Sequence, residues 1–310
     1  MGRIATVKYP CKLLLGFSIA AGLIGPAILT RAQQSAPPSL QPLTGGVYWS
    51  DGGAAVNVGV LVGKDGVIVI DARTSANAGK QILAQVASVT NLPLTTVILT
   101  DSDLDHSYGL AGFPKGLTII AHENAKKELE ATIGSKNPAP QLPTKGVDKK
   151  ESLTINGVRM VLLNFGPAHT AGDLMVYLPD QKIAFTGDMI SNSCCGNARS
   201  ELVLTMIKPR KSGSNEAGSA DGWIESMKKL VALNADTYVP GHGPLQTKAD
   251  VQKRLARVED RRTQVKKMVA EGKSLGEIKQ ALNDTAQPAY DVAQFPDLTT
   301  VMYNELTQKH

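Results

Sequence analysis

The segment Thr100-Asp101-Ser102-Asp103-Leu104-Asp105-His106 places four potential metal ligands within six residues, directly after the apolar run Leu94 to Leu99. Its meaning depends on three later turns: Gly166-Pro167-Ala168-His169-Thr170, Thr186-Gly187-Asp188 and Pro240-Gly241-His242-Gly243-Pro244. Together they predict a dinuclear metal centre built from loops that leave one edge of the fold.

Side chains alternate along an extended backbone, so Asp101 and Asp103 are expected on the same side, while the neighbours Asp105 and His106 point apart. That geometry can serve two metals. Asp101 and Asp103 are expected to bind one ion with His169, and Asp105 and His106 a second with His242. Asp188 is expected to bridge the pair, with a water between the ions as nucleophile. Three acids this close also occur as a solvated turn or a helix cap. A calcium loop fits poorly, because it wants Gly at its sixth position and Glu at its twelfth, where this chain has His106 and Gly112. The histidines weigh toward metal: three of the chain's five lie in Gly- or Pro-bounded turns after predicted strands. His122 is expected to start a helix. Asp71 and Asn57 are expected to fix turns or orient ligands.

With 310 residues, 42% of them hydrophobic, and no evident internal repeat, the chain can bury one substantial domain with an appendage. Residues 1–32 stand apart: Arg3, Lys8 and Lys12 precede the apolar run Leu13 to Leu29, and Thr30-Arg31-Ala32 offers small residues for a signal peptidase. A secretory signal is expected, with a retained membrane anchor as the alternative that Gly16, Gly22, Gly25 and Pro26 disfavour. Cleavage would leave a periplasmic or secreted protein with no stable membrane span. It would also remove four basic residues and no acidic ones, leaving 29 basic against 28 acidic, so the net charge of +5 belongs largely to the signal. Nucleic acid is therefore not an expected partner; a small-molecule substrate is. After the signal only Cys194 and Cys195 remain, which excludes a disulfide-stapled scaffold. Adjacent cysteines leave open a strained vicinal disulfide, pairing with another molecule, a reduced state, or a soft metal ligand.

Residues 33–44, with three prolines, are expected to be a linker, residues 45–250 the main domain, and residues 251–310 a C-terminal helical extension and tail. Short β-rich runs at 47–49, 55–62 and 67–70 suggest an antiparallel meander, followed by a helix over 75–89 and a strand over 94–99. A strand over 117–121, a helix over 124–133 and a polar loop over 134–151 come next. Strands are then expected over 153–164, 173–178 and 182–185, a patternless loop over 190–220, a helix over 223–233, a strand over 236–239 and helix over 247–283. Two β-rich halves, each followed by helices, argue for an α/β, four-layer αββα sandwich, although periodicity alone admits other α/β arrangements.

In chain order, Val69-Ile70-Asp71, the Thr100 to His106 loop followed by Gly109, Gly166-Pro167-Ala168-His169-Thr170-Ala171-Gly172, Phe185-Thr186-Gly187-Asp188 and Val239-Pro240-Gly241-His242-Gly243 resemble the metallo-β-lactamase superfamily over roughly residues 45–250. The resemblance implies the αββα sandwich, two divalent ions with zinc the usual metal, and a hydrolase whose metal-activated water attacks a carbonyl or phosphorus centre. It implies that Asp105 both ligates and orients that water, on a small lactam, lactone, thioester or related ester-like substrate. The departure is specific. Where the family reads H-x-H-x-D-H, this chain has Asp101 and Asp103 in place of the first two histidines.

Four carboxylates, Asp101, Asp103, Asp105 and Asp188, then face two divalent ions and cancel their formal charge. Anionic ligands weaken Lewis acidity and oppose the fall of the water pKa toward ~7 that a catalytic zinc achieves. Oxygen ligation also favours harder ions such as manganese or magnesium, and admits iron, over zinc. An altered metal preference, or a weak or empty first site, is expected. The competing expectation is a member that keeps the fold and binds a metabolite or partner without catalysis. Lys208, Arg210 and Lys211 form a basic run that either is solvated or attracts a substrate carboxylate.

Overall fold

Seven strands of the computed structural model form one sheet in the order in which the chain makes them: β1 (Gln41–Thr44), β2 (Val47–Ser50), β3 (Val58–Val62), β4 (Val67–Ile70), β5 (Leu94–Ile98), β6 (Thr118–His122) and β7 (Lys145–Val147). The structure describes residues 39–53, 55–132, 139–192, 207–208, 217–284 and 296–308. Short turns make β1 to β4 antiparallel, whereas β4 to β7 run parallel. Parallel neighbours need crossovers, and here these carry α1 (Ala76–Ala87), then α2 (Leu104–Ser107) with a 3₁₀ turn at Tyr108–Gly112, then α3 (Glu123–Thr132). The second sheet has six strands, β8 (Lys150–Ile155), β9 (Val158–Leu163), β10 (Met175–Leu178), β11 (Ile183–Ser191), β12 (Thr237–His242) and β13 (Gln246–Thr247), in the order β13-β12-β11-β10-β9-β8. Helix α4 (Ala220–Ala232) crosses between the parallel strands β11 and β12; α5 (Lys248–Ala270), α6 (Leu275–Ala281) and α7 (Leu298–Thr307) follow.

Alternation along buried strands assigns the layers. Val67 and Val69 of β4 pack outward with Ile82 and Val86 of α1 and Leu129 of α3. Their neighbours Ile68 and Ile70 face inward, meeting Leu162, Val176, Phe185 and Val239 of the second sheet. Beyond that sheet, Met175, Tyr177 and Tyr238 pack with Trp223 and Met227 of α4 and with Val251, Leu255 and Val258 of α5. Helix, sheet, sheet, helix is therefore the layer order, an αββα sandwich with C-terminal helices. Each fully buried Leu, Ile or Val contributes about 1.5–3 kcal/mol through removal of apolar surface from water. Among the described residues no helix is long and apolar enough to cross a membrane.

Several elements differ from expectation. Residues 41–44, assigned to the linker for their proline, already form β1, whose outer position tolerates Pro42 because an edge strand need not donate every N–H. The single strand expected over 153–164 is a hairpin: Asn156 and Gly157 both take positive φ, 51° and 78°, and turn β8 into β9. Within the polar loop expected over 134–151, Lys145–Val147 adds a short parallel strand beside β6. Helix α5 begins at Lys248 and its apolar face joins the core beside α4, while the expected tail contains α7, capped by Asp297. Residues 1–32, Cys194, Cys195, Arg210 and Lys211 lie outside the described residues, as does most of the patternless stretch over 190–220.

Candidate metal centre

The loop after β5 is held from below by Asp71, which follows β4 at φ 64°, a left-handed conformation that Asp tolerates better than most residues. Its carboxylate accepts from Thr100 N at 2.9 Å and from Thr100 Oγ1 at 2.8 Å. It also accepts from His106 Nδ1 at 3.0 Å. That last bond directs Nδ1 to Asp71 and turns Nε2 of fully buried His106 toward the other ligands, so that with Nε2 on an ion the remaining ring proton would sit on Nδ1. Asp103 N donates to Asp101 Oδ1 at 2.8 Å, so the chain turns at once and enters α2 at Leu104.

His169 stands on the loop between β9 and β10, folded around Asp173. The Asp173 carboxylate accepts from His169 N at 2.8 Å, Thr170 N at 2.9 Å and Thr170 Oγ1 at 2.6 Å. Sequence reasoning placed Asp173 only at a strand start; the signal was an acid following a His-Thr turn, where it can cap main-chain donors. The His242 turn is strapped to the other sheet by Asn57, whose Nδ2 donates to Pro240 O at 2.9 Å and Gly243 O at 2.7 Å. Gly241 has no side chain for a spatial reason: a Cβ there would lie 2.0 Å from Asp188 Oδ1.

All seven candidate ligands converge; Asp105, His106 and His242 group as expected for one ion, while the set expected for the other ion is divided differently. His106 Nε2 lies 3.6 Å from Asp101 Oδ2 and 3.6 Å from Asp188 Oδ1. His242 Nε2 lies 3.5 Å from Asp188 Oδ1 and 3.2 Å from Asp105 Oδ2. Asp101 is thus grouped with His106 and Asp188 rather than with Asp103 and His169. Asp103 turns the other way: its Oδ2 is 3.4 Å from His169 Nε2 and its Oδ1 forms an ion pair with Lys208. His169 Nε2 approaches Asp188 Oδ2 at 3.9 Å. The basic run contributes Lys208 to the centre itself. His122 is structural, accepting from Asn124 N at 3.1 Å at the start of α3.

Four atoms decide what this arrangement can hold. Asp101 Oδ2, His106 Nε2, Asp188 Oδ1 and His242 Nε2 are buried and have no hydrogen-bond partner. Leaving one such atom unsatisfied costs about 1–3 kcal/mol, and a bound cation would satisfy them where they cluster, in the group Asp101, His106 and Asp188 and in the group Asp105, His106 and His242. The donor set of two imidazole nitrogens and several carboxylate oxygens suits a divalent ion.

The metallo-beta-lactamase superfamily profile matches residues 51–242 of the chain. The chain belongs to this superfamily. Among curated relatives it is 26% identical over 204 residues to the 2,4-dinitroanisole O-demethylase subunit alpha of Nocardioides sp. (strain JS1661), covering 65% of this chain and 56% of that protein. It is 33% identical over 111 residues to a hydroxyacylglutathione hydrolase of Brucella anthropi, covering 34% of this chain and 35% of that protein. It is 31% identical over 159 residues to that of Brucella ovis, covering 50% and 51%. The chain thus spans between a third and just over half of the length of these relatives. Among solved structures, a metallo-beta-lactamase from Pontibacter korlensis superposes with TM-score 0.59 at 17% identity, covering 72% of this chain and 99% of that one. A stereoselective inverting sec-alkylsulfatase from Pseudomonas sp. superposes with TM-score 0.64 at 15% identity, covering 88% and 51%. At these identities the structures establish the shared fold.

The protonation chemistry of this superfamily member's centre follows from burial opposed by charge. Burial pushes Asp101 up to about 7, against the pull of His106 and His169. Burial also opposes ionisation of Asp188, but His242, His106 and His169 outweigh it and hold that carboxyl below the usual carboxylate range. For His106 burial disfavours the imidazolium, yet Asp101, Asp71, Asp188 and Asp105 together raise it well above the ordinary histidine value. Burial is likewise overcome at His242, chiefly by Asp188 and Asp105. A metal ion bound among these groups would displace such protons.

Proposed function

We propose that the protein is an exported metal-dependent hydrolase that uses a metal-activated water on a small lactam, lactone, thioester or related ester-like substrate. The observation that carries this reading is the convergence of the four unpartnered buried atoms of Asp101, His106, Asp188 and His242 with Asp105 at their edge. A divalent ion bound there supplies Lewis acidity and lowers the pKa of water. The chain's own residues do the rest. Asp71 fixes the His106 tautomer, Asp173 fixes the His169 loop, and Asn57 fixes the His242 turn. Asp105, whose side chain is 33% exposed where the other ligands to the ion are nearly closed off, is placed to orient the water and receive its proton.

The hydroxyacylglutathione hydrolases among the relatives are named for a thioester substrate, which makes a thioester the first probe to try. The test screens purified protein with zinc, manganese and iron against thioester, lactone, lactam and phosphodiester probes. Metal-dependent hydrolysis of an ester-like probe, abolished by Asp105→Asn, is expected; no metal-dependent rate across the panel would overturn the reading and favour a binding protein. Export rests on the basic, apolar and small-residue order of residues 1–32. It predicts a mature chain beginning after Ala32 in the periplasmic or secreted fraction, and an intact N-terminus there would contradict it.

A further inference from the structure

We infer that the ammonium of Lys208 stands in for a second metal ion, so that the centre loads with a single ion held among Asp101, Asp105, His106, Asp188 and His242. This rests on the metal-dependent reading above. The expected scheme of two ions is revised by the way the atoms are used. Asp103 is engaged on both oxygens, one with Lys208 Nζ and the other 3.4 Å from His169 Nε2. No atom of Asp103 or His169 is among the buried atoms left without a hydrogen-bond partner, whereas Asp101, His106 and Asp188 each contribute one and His242 contributes both ring nitrogens. The unsatisfied donors lie on one side of Asp188 only.

Lys208 is positioned by the fold rather than merely close. Ile207 is buried in the core that contains Trp223 and Met189. Lys208 N donates to His169 O at 2.9 Å, and its own carbonyl accepts from Gly218 N at 3.0 Å. A Cβ at Gly218 would lie 2.3 Å from His169 O, so this strand-like contact closes against the His169 loop without side-chain intervention. The Lys208 backbone is therefore tied by one main-chain bond to the loop that bears His169 and by a second to Gly218, which itself packs against His169 O. A second divalent ion between Asp103 and His169 would be repelled by the ammonium at close range. The pairing also gives the replacement of a family histidine by Asp103 a physical purpose: a neutral imidazole would not hold the ammonium, while a carboxylate does.

The experiment counts metal rather than turnover. Protein loaded with excess zinc or manganese chloride and desalted is analysed by inductively coupled plasma mass spectrometry. One ion per chain is expected, and the manganese form should show the electron paramagnetic resonance spectrum of an isolated ion. Asp103→Asn is expected to leave the count at one. Lys208→Met, which keeps length and removes charge, is expected to raise it to two, with circular dichroism confirming that both variants are folded. Two ions in the unmodified protein, a coupled-pair spectrum, a lower count in Asp103→Asn, or an unchanged count in Lys208→Met would each overturn the inference. One bound ion without hydrolysis would count against the proposed activity alone, and absence of bound metal against both.

Discussion

The two halves of the centre draw on the same residue types and reach opposite states. Asp188 Oδ1, with Asp101 Oδ2, His106 Nε2 and His242 Nε2, is buried and without a hydrogen-bond partner. On the side of Asp188 Oδ2, Asp103, His169 and Lys208 satisfy one another. Ligand identity alone does not make a metal site: a carboxylate and an imidazole with a built-in ammonium form a closed ion pair, while the same groups without one remain open to a cation.

The sharpest way to break this comparison is to remove one histidine from each half. His106→Ala is expected to lose bound metal and all metal-dependent activity, whereas His169→Ala should keep its ion; equal metal loss in both, measured by elemental analysis, would erase the distinction. Asp71→Asn probes the support of the open half, because Asp71 fixes the ring of His106. Metal affinity should fall about 10–100-fold in competition with a chelator, without loss of fold.

Acidity sharpens the contrast next. His106 and His242 are raised above their ordinary 6.5 by the surrounding carboxylates, so protons compete with the ion. Affinity should weaken as pH falls through those raised values, by about tenfold per unit for each proton displaced. In metal-free protein the sign reverses. The stability that charged His106 and His242 provide is fully present below 6.5 and is lost as pH rises through their raised folded-state values. Denaturant titrations across pH, with and without zinc, should show the two slopes; parallel curves would count against the ion's exchange for protons. The smallest effect is a control. Thr247→Ala removes the capping box of α5, remote from the ligands, and should cost about 1 kcal/mol of stability while leaving the metal count unchanged.

Much of this arrangement was legible in the sequence. Apolar runs punctuated by Gly and Asp announced the strands, and Val69-Ile70-Asp71 announced the residue that orients His106. The partition of the aspartates was not legible, because the alternation rule assumes that the backbone stays extended through residues 101–105. Instead Asp103 N bonds back to Asp101 Oδ1 and α2 begins at once, sending the two carboxylates to different partners. Lys208 was read only as part of a basic run, since nothing local ties it to a carboxylate more than a hundred positions earlier. The Asn156-Gly157 turn was readable from its residues and was passed over in favour of a long strand.

The central claim is that the unpartnered atoms of Asp101, His106, Asp188 and His242 share one cation. Anomalous diffraction at the zinc edge, from crystals grown with zinc, tests it most directly. The account predicts a single peak at about 2.0–2.2 Å from His106 Nε2 and His242 Nε2, with Asp188 in contact and no density between Asp103 and His169. A peak flanked by Asp103 and His169, or none beside His106, would contradict it.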